Sequence, residues 1–336
     1  MGALTLMSAT DTVIGYNFLP TPLTFQIPKR WPKPSKNIFV NNKLTEEGFQ
    51  LGKKLFYDGE LSKDGEVSCA SCHQQFAAFS NYDHDLSHGI NNSFTKRNAP
   101  ALINLAWMNE LHWDGAINHI EVQPLAPLTA PNEMGEQLDS VLIKLRKDSS
   151  YQRMFKAAFG DKNITSQRML KALAQFTGNL ISANSKYDQV KNGKAKFTAF
   201  ESKGYEIFKA NCDGCHKEPL FTDNSFRNNG QHLNRFNDLG RMAITGKKDD
   251  SLKFKVPTLR NIELSFPYMH DGHLYSLYHV IEYYNNIDTS MLALDPLLKK
   301  KFNFSSDQKM ELMSFLNTLT DSSFIKNPRY GFSNPK

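Results

Sequence analysis

The chain has 336 residues, of which 40% are hydrophobic and 22% charged, and it carries a formal charge of +6. That length fits about two ordinary domains, and the composition fits a globular protein rather than a fibrous or disordered one. Lys and Arg are scattered without an arginine-rich stripe, and no apolar run is long enough to span a bilayer, which sets aside nucleic-acid binding and a membrane-spanning helix.

Met1 to Leu19 has no basic segment followed by a long apolar one, so no signal peptide is visible. Leu19 to Ser35 holds five prolines and reads as an extended surface arm. Thr45, followed by Glu46 and Glu47, is an N-cap with an acidic first turn for a helix running to Phe56. Helical periodicity returns in Gln137 to Lys147 and in Gln167 to Ser182, where Leu170, Leu173, Ala174, Phe176 and Leu180 share one face. The polar stretch from Asn184 to Lys196 is a candidate boundary. Phe200 to Phe208 repeats the aromatic pattern of the first helix, and two more helices are expected over Tyr275 to Tyr284 and Asp307 to Leu319.

All four cysteines fall in two copies of one pattern, Cys69-Ala70-Ser71-Cys72-His73 and Cys212-Asp213-Gly214-Cys215-His216. C-x-x-C-H is the attachment signature of haem c. Two thiols add to the vinyl groups on one porphyrin edge, and the adjacent His reaches the iron. A zinc site or a redox dithiol is the alternative use of such pairs. The pairs lie far apart in the chain, however, and each carries its own His at the same offset. Two haems would add about four propionate carboxylates, bringing the holoprotein closer to neutrality. Covalent haem c implies export to a periplasm-type compartment. The expected fold is mainly α, with two cytochrome c-like haem domains, long loops and little strand. An arm over 1–36 would precede a first haem domain over 37–190 and a second over 191–336, the extreme C-terminus packing back on the first.

Five further segments, with the two haem motifs, carry a family resemblance. They are Arg97-Asn98-Ala99-Pro100; Trp113-Asp114-Gly115; Pro124 to Leu128 with Asn132-Glu133-Met134-Gly135; Val256 to Asn261; and Pro267-Tyr268-Met269-His270-Asp271-Gly272. In order and spacing the chain from Thr45 to Asn286 resembles the bacterial dihaem cytochrome c peroxidases and the MauG-like dihaem oxidases. The resemblance implies that the His73 haem is the peroxide site and the His216 haem an electron relay. It implies Gln123 and Glu133 over the distal face of the first haem, where a carboxylate can shuttle a proton between the peroxide oxygens and an amide can stabilise developing charge. Trp113 resembles the tryptophan between the haems. Asn98, with the backbone carbonyls of Ser265 and Pro267, resembles a calcium site, and calcium tolerates such oxygen donors.

Two departures from the peroxidases stand out. Their C-terminal haem takes a Met fourteen residues beyond the His of the aromatic-His-Asp-Gly stretch; here that count from His270 lands on Tyr284, where MauG-like oxidases carry a Tyr ligand. A phenolate favours Fe(III), whereas a thioether favours Fe(II). The competing reading leaves Tyr284 as a helix aromatic, with Met269 or another residue on the iron. Many peroxidases also hold a distal His sixteen residues beyond the proximal one; here that count from His73 lands on Gly89, next to His88. An open or water-ligated first iron is expected, with a ligating His88 as the alternative. The leading function is reduction of hydrogen peroxide with electrons from a small cytochrome c or cupredoxin. A MauG-like oxidation of side chains in a partner protein is the second reading, and a non-catalytic electron-transfer cytochrome the third. Family members often form homodimers, though no interface is legible in the residues.

Overall fold

The structure is a computed structural model that describes residues 19–332. The segment 1–18, where no signal peptide is legible and which holds half of the expected arm, lies outside the described residues, as does 333–336. Among the described residues there are twelve α-helices and one two-stranded ladder, and no helix is long and apolar enough to cross a membrane. In chain order the helices are α1 Glu46–Tyr57, α2 Cys69–Cys72, α3 Leu125–Thr129, α4 Leu138–Lys147, α5 Ser149–Phe159 and α6 Ser166–Thr177; then α7 Lys186–Lys191, α8 Ala199–Asn211, α9 Met242–Thr245, α10 Leu277–Asn285, α11 Ser306–Asn317 and α12 Ser322–Ile325. The strands β1 Phe226–Arg227 and β2 Phe254–Lys255 pair antiparallel. The fold is thus mainly α, as expected.

Thr45 caps α1 by accepting from the Gly48 N–H, and the helix buries Phe49, Leu51, Leu55 and Phe56. The expected helix over Gln167 to Ser182 ends early, at Thr177. There Asn104 takes over the chain: its N–H donates to the Leu180 carbonyl at 2.8 Å, and its Oδ1 accepts from the Ser182 N–H at 3.0 Å. The polar stretch after Asn184 is not a plain linker either. It forms α7 behind a Ser185/Asp188 capping box, and Tyr187 and Asp188 are buried. Each carboxylate oxygen of Asp188 accepts from Arg260 at 2.8 Å.

The two halves of the chain repeat one construction. An added Cβ at Gly52 of α1 would lie 1.9 Å from the Ala172 carbonyl of α6, and one at Gly204 of α8 would lie 1.9 Å from the Glu311 carbonyl of α11. Each glycine lets its helix pack backbone to backbone on its partner. Pro100-Ala101-Leu102-Ile103-Asn104 and Pro257-Thr258-Leu259-Arg260-Asn261 repeat as well. Asn104 and Asn261 both stand at positive φ, 56° and 58°. Asn261 donates to the Leu319 carbonyl at 3.1 Å and accepts from the Asp321 N–H at 2.8 Å, matching the contacts of Asn104. Apolar side chains gather in one core between Phe49 and Leu180, and in a second between Tyr187 and Leu319. The C-terminal segment returns to the first core: Phe324 is part of it, Arg329 pairs with Glu46 at 2.6 Å, and Tyr57 Oη donates to the Tyr330 carbonyl at 2.8 Å.

Between the cores lies a charged seam. Arg97 donates through Nε and Nη2 to Asp238 at 2.6 and 2.7 Å, and through Nη1 to Asp114 at 2.6 Å. Lys255 donates its N–H to the Trp113 carbonyl at 2.7 Å and its Nζ to the Glu110 carbonyl at 2.9 Å. Arg241 reaches the Asp114 carbonyl and the Glu110 carboxylate, each at 3.2 Å.

Two predictions follow from this packing. By helix propensity alone, Gly→Ala inside a helix adds about 1 kcal/mol of stability. Overpacking a tight contact costs about 1–3 kcal/mol. Gly52→Ala and Gly204→Ala should therefore each lower the urea midpoint of the holoprotein, and a raised midpoint would contradict the close helix approach. Arg97→Ala strands two carboxylates at the seam and should cost about 3–5 kcal/mol, measured by calorimetry. Burial alone would raise the Asp238 carboxyl, but Arg97 overcomes it and holds the group below its ordinary value. The stability supplied by this pair is therefore complete above the unfolded Asp pKa of about 4 and is lost as pH falls through the lower native value. Arg97→Ala should flatten that acid dependence; an unchanged pH profile would rule the pair out as its source.

Candidate dihaem centre

The first motif winds as the single turn α2, with His73 as its C-cap. Ala78 and Phe79 follow at φ 57° and 58°, a left-handed pair that turns the chain back. The Phe79 carbonyl thereby meets His73 Nδ1 at 2.9 Å. A ring nitrogen held on a carbonyl fixes the tautomer and leaves Nε2 to a metal. Burial pushes the His73 imidazole down to about 4, so it stays neutral, as a ligand must be. The second motif uses the same device. His216 Nδ1 lies 3.1 Å from the Phe221 carbonyl and 3.2 Å from that of Pro257, and Phe221 stands at φ 55°. No two of the four cysteines pair as a disulfide. Among the described residues no three His, Cys, Asp or Glu side chains gather where they could hold an ion, so the two motifs do not combine into a zinc site. Two cysteines and one neutral, oriented imidazole per motif form the donor set that haem c requires. A cleft of about 270 Å³ opens beside Cys215, lined by Asn211, Gly214, Leu297 and Lys300.

Gln123 stands two residues before α3, and Glu133 lies four residues after it. The loop after α3 is pinned at both ends. Glu133 donates its N–H to the Ala130 carbonyl at 3.0 Å, and its own carbonyl accepts from the Ile90 N–H at 2.8 Å. Burial raises the Glu133 carboxyl above its ordinary range. Burial also pushes the Cys72 thiol up to about 11, and the Glu133 carboxylate adds to the rise, so the acid stands within electrostatic reach of the first motif. Gly89, at the count where a distal His would fall, packs directly on this loop. A Cβ there would lie 2.2 Å from the Asn132 carbonyl and 2.8 Å from Glu133 Cα. No side chain fits at 89 without moving the acid. His88 is exposed, with its ring against Phe94 at 4.6 Å and His84 at 5.2 Å.

Tyr284, near the end of α10, and Met269, at φ 73°, come together on one amide. Asn229 Nδ2 lies 3.5 Å from Tyr284 Oη and 3.6 Å from Met269 Sδ. Burial raises the Tyr284 phenol, and the hydrogen bond from Asn229 opposes that rise.

Trp113 sits in the seam, its Nε1–H donating to the Asn98 carbonyl at 2.8 Å. Asn98 is 4% exposed; its Nδ2 meets the Pro267 carbonyl at 2.6 Å, while its Oδ1 is buried without a partner. Exchanging the two ends of the amide would turn Oδ1 toward the Pro267 oxygen. Two oxygens facing one another need a cation between them, and Ser265 stands two residues away on the same loop. This arrangement fits an oxygen-binding ion such as calcium.

Sequence reasoning missed several of these groups. Asn229 sits in Asn228-Asn229-Gly230, which reads as a turn and carries no sign of a ligand contact. The seam roles of Arg97, Asp238 and Lys255 depend on contacts across more than a hundred residues. His112, which carries no distinguishing motif, is held at φ 65° beside Trp113 with its Nε2 buried and unpartnered. Its unusual place directly before Trp-Asp-Gly was the one available signal.

Comparison with known proteins agrees with this construction. The family model for di-haem cytochrome c peroxidase matches residues 46–196. The methylamine utilization protein MauG of Methylophilus methylotrophus is 33% identical over 90% of this chain and 89% of its own. The cytochrome c551 peroxidase of Nitrosomonas europaea is 33% identical over 81% of this chain and 79% of its own. A solved MauG-like protein associated with microbial copper homeostasis is 32% identical, with a TM-score of 0.85 over 92% of this chain and 99% of its own. With two C-x-x-C-H motifs, two oriented histidines and relatives of this extent, the chain belongs to the di-haem cytochrome c peroxidase and MauG family and carries two c-type haems.

Proposed function

We propose that the protein is a dihaem peroxidase that reduces hydrogen peroxide to water at the His73 haem, in a periplasm-type compartment. Electrons would enter from a small cytochrome c or cupredoxin and pass through the His216 haem. The observation that carries this reading is the half-buried carboxyl of Glu133, raised above its ordinary range by burial, on a loop pinned to Gly89 and Ile90. The bound haem supplies an iron that takes peroxide and exchanges electrons with it. Glu133 takes the proton from the inner peroxide oxygen and returns it to the outer one, which leaves as water. The Gln123 amide donates a hydrogen bond to the oxygen that gains charge as the bond breaks. The Trp113 indole, fixed by Asn98 and Lys255, is the relay across the seam. Calcium, held by Asn98 and the Pro267 and Ser265 carbonyls, would brace that seam.

Tyr284 favours the second reading, a MauG-like oxidase whose electrons come from side chains of a partner protein. As a phenolate ligand it would lower the potential of the second haem and make its oxidation easier. Asn229 is placed to hydrogen-bond such an oxygen.

Peroxide titration of the resting ferric protein tests the peroxidase reading. EPR should show a high-spin ferric component that disappears with peroxide; two low-spin haems indifferent to peroxide, even after reduction, would reject it. Glu133→Gln should slow peroxide cleavage by about 10²–10⁴-fold. Because burial raises this carboxyl and the base form must be ionised, kcat/KM should rise with pH through a value above the ordinary Glu pKa of about 4.3, and Glu133→Gln should lose that limb. Tyr284→Phe should alter the low-spin signal of the second haem, and an unchanged signal would exclude Tyr284 as its ligand.

A further inference from the structure

The proximal side of the second motif holds a hydrogen-bonded group that the peroxide chemistry does not use. Glu218 follows His216 by two residues and accepts from two phenols. Tyr187 Oη lies 2.5 Å from Glu218 Oε1, and Tyr205 Oη lies 3.0 and 3.1 Å from its two oxygens. Lys191 and Lys209 pair with the same group at 3.3 and 3.0 Å. Lys191 Nζ also donates to Tyr205 Oη at 2.7 Å. The Tyr187 ring meets the Phe221 ring edge-on at 4.8 Å, and Phe221 is the residue whose carbonyl holds His216 Nδ1. The group therefore runs outward from His216. Tyr187 is 3% exposed, Tyr205 is partly exposed, and the Lys191 and Lys209 side chains are 37% and 40% exposed.

A phenol that gives up an electron must also give up its proton, and the acceptor must already lie in hydrogen-bond reach. Glu218 meets that condition for both rings. We infer that Tyr187 and Tyr205 form a radical relay that carries oxidising equivalents from the second haem to the surface. The inference rests on the reading that peroxide oxidises the haem pair by two electrons.

The steps balance as follows. Tyr187 gives one electron to the oxidised haem pair by way of Phe221 and His216, and its hydroxyl proton moves to Glu218. One of the two oxidising equivalents taken from peroxide then resides on Tyr187 as a neutral phenoxyl. Tyr205 restores Tyr187 by giving it one electron. Glu218 returns its proton to Tyr187 and takes that of Tyr205. A one-electron donor at the Lys191–Lys209 surface then reduces Tyr205, and the proton returns from Glu218.

The test is freeze-quench EPR of the holoprotein after peroxide is added without a donor, with haem absorption followed in parallel. A tyrosyl signal that narrows when the protein carries ring-deuterated tyrosine is expected. Tyr187→Phe should abolish the signal, and Tyr205→Phe should keep it while slowing its decay when a donor is added. Glu218→Gln, with an unchanged low-spin spectrum for the second haem, should slow its appearance by about a hundredfold or more. Haems that react with peroxide but give no tyrosyl signal, or a signal that survives Tyr187→Phe unchanged, overturn the relay and leave the peroxidase reading standing. Haems that do not react overturn both. Failure of a variant to fold leaves the deuterated parent protein to decide.

Discussion

Arg97 is the charge that the two halves of the molecule share. Its planar guanidinium spans carboxylates from both halves, Asp114 from the first and Asp238 from the second. Such a fork fixes angle as well as distance, which a lysine could not do. A buried ion pair of this kind contributes little net stability compared with an apolar seam, because desolvation offsets the attraction. Its effect is geometric. Trp113 directly precedes Asp114, and Asn98 directly follows Arg97, so one cation sets the place of the seam indole and of the orphaned Asn98 oxygen. Lys255 and Arg241 hold the same 110–115 loop from the other half. Electron transfer between two haems needs a constant separation, and a polar seam with few alternative registers supplies one.

The parts of this arrangement legible in the sequence are those set by neighbours in the chain. The C-x-x-C-H motifs, the Thr45 cap and the period of α1, α6 and α11 are local patterns, and the structure has helices there. α6 stops short because Gly178 and Asn104 intervene, and Asn104 lies more than seventy residues away. The 184–196 stretch reads as a linker because its polar residues are visible while Arg260, the partner that buries Asp188, is not. The left-handed turns at Phe79 and Phe221 have no signature, since neither position is Gly or Asn. Their conformation is imposed by the histidine each carbonyl must reach, the kind of strain that a functional site sustains. The family segments pointed to Trp113, Glu133 and Asn98 as candidates, but the resemblance said nothing of Gly89 as a contact or of Asn229 as the meeting point of Tyr284 and Met269.

The repeat also explains how one scaffold can support two unlike haems. On the proximal side the halves match part for part: helix glycine on helix carbonyl, Cys-x-x-Cys-His, a left-handed Phe carbonyl on Nδ1, then Pro-x-Leu-x-Asn at positive φ. Among these contacts the Phe carbonyl meets the histidine, and the others tie together the helices and turns around it. The distal side is left to other segments, and loops vary at small cost to a core they do not build. In the first half a loop brings Gly89 and a carboxyl raised by burial; in the second the end of α10 and the turn at Met269 bring a phenol and a thioether onto one amide. A glycine there lets the acid-bearing loop pack close and offers no side chain of its own to bind a metal. A large donor side chain can bind the metal itself. Under the proposed function, the difference between a reacting haem and a relay haem comes from this choice of segment alone, made on two copies of the same histidine mount.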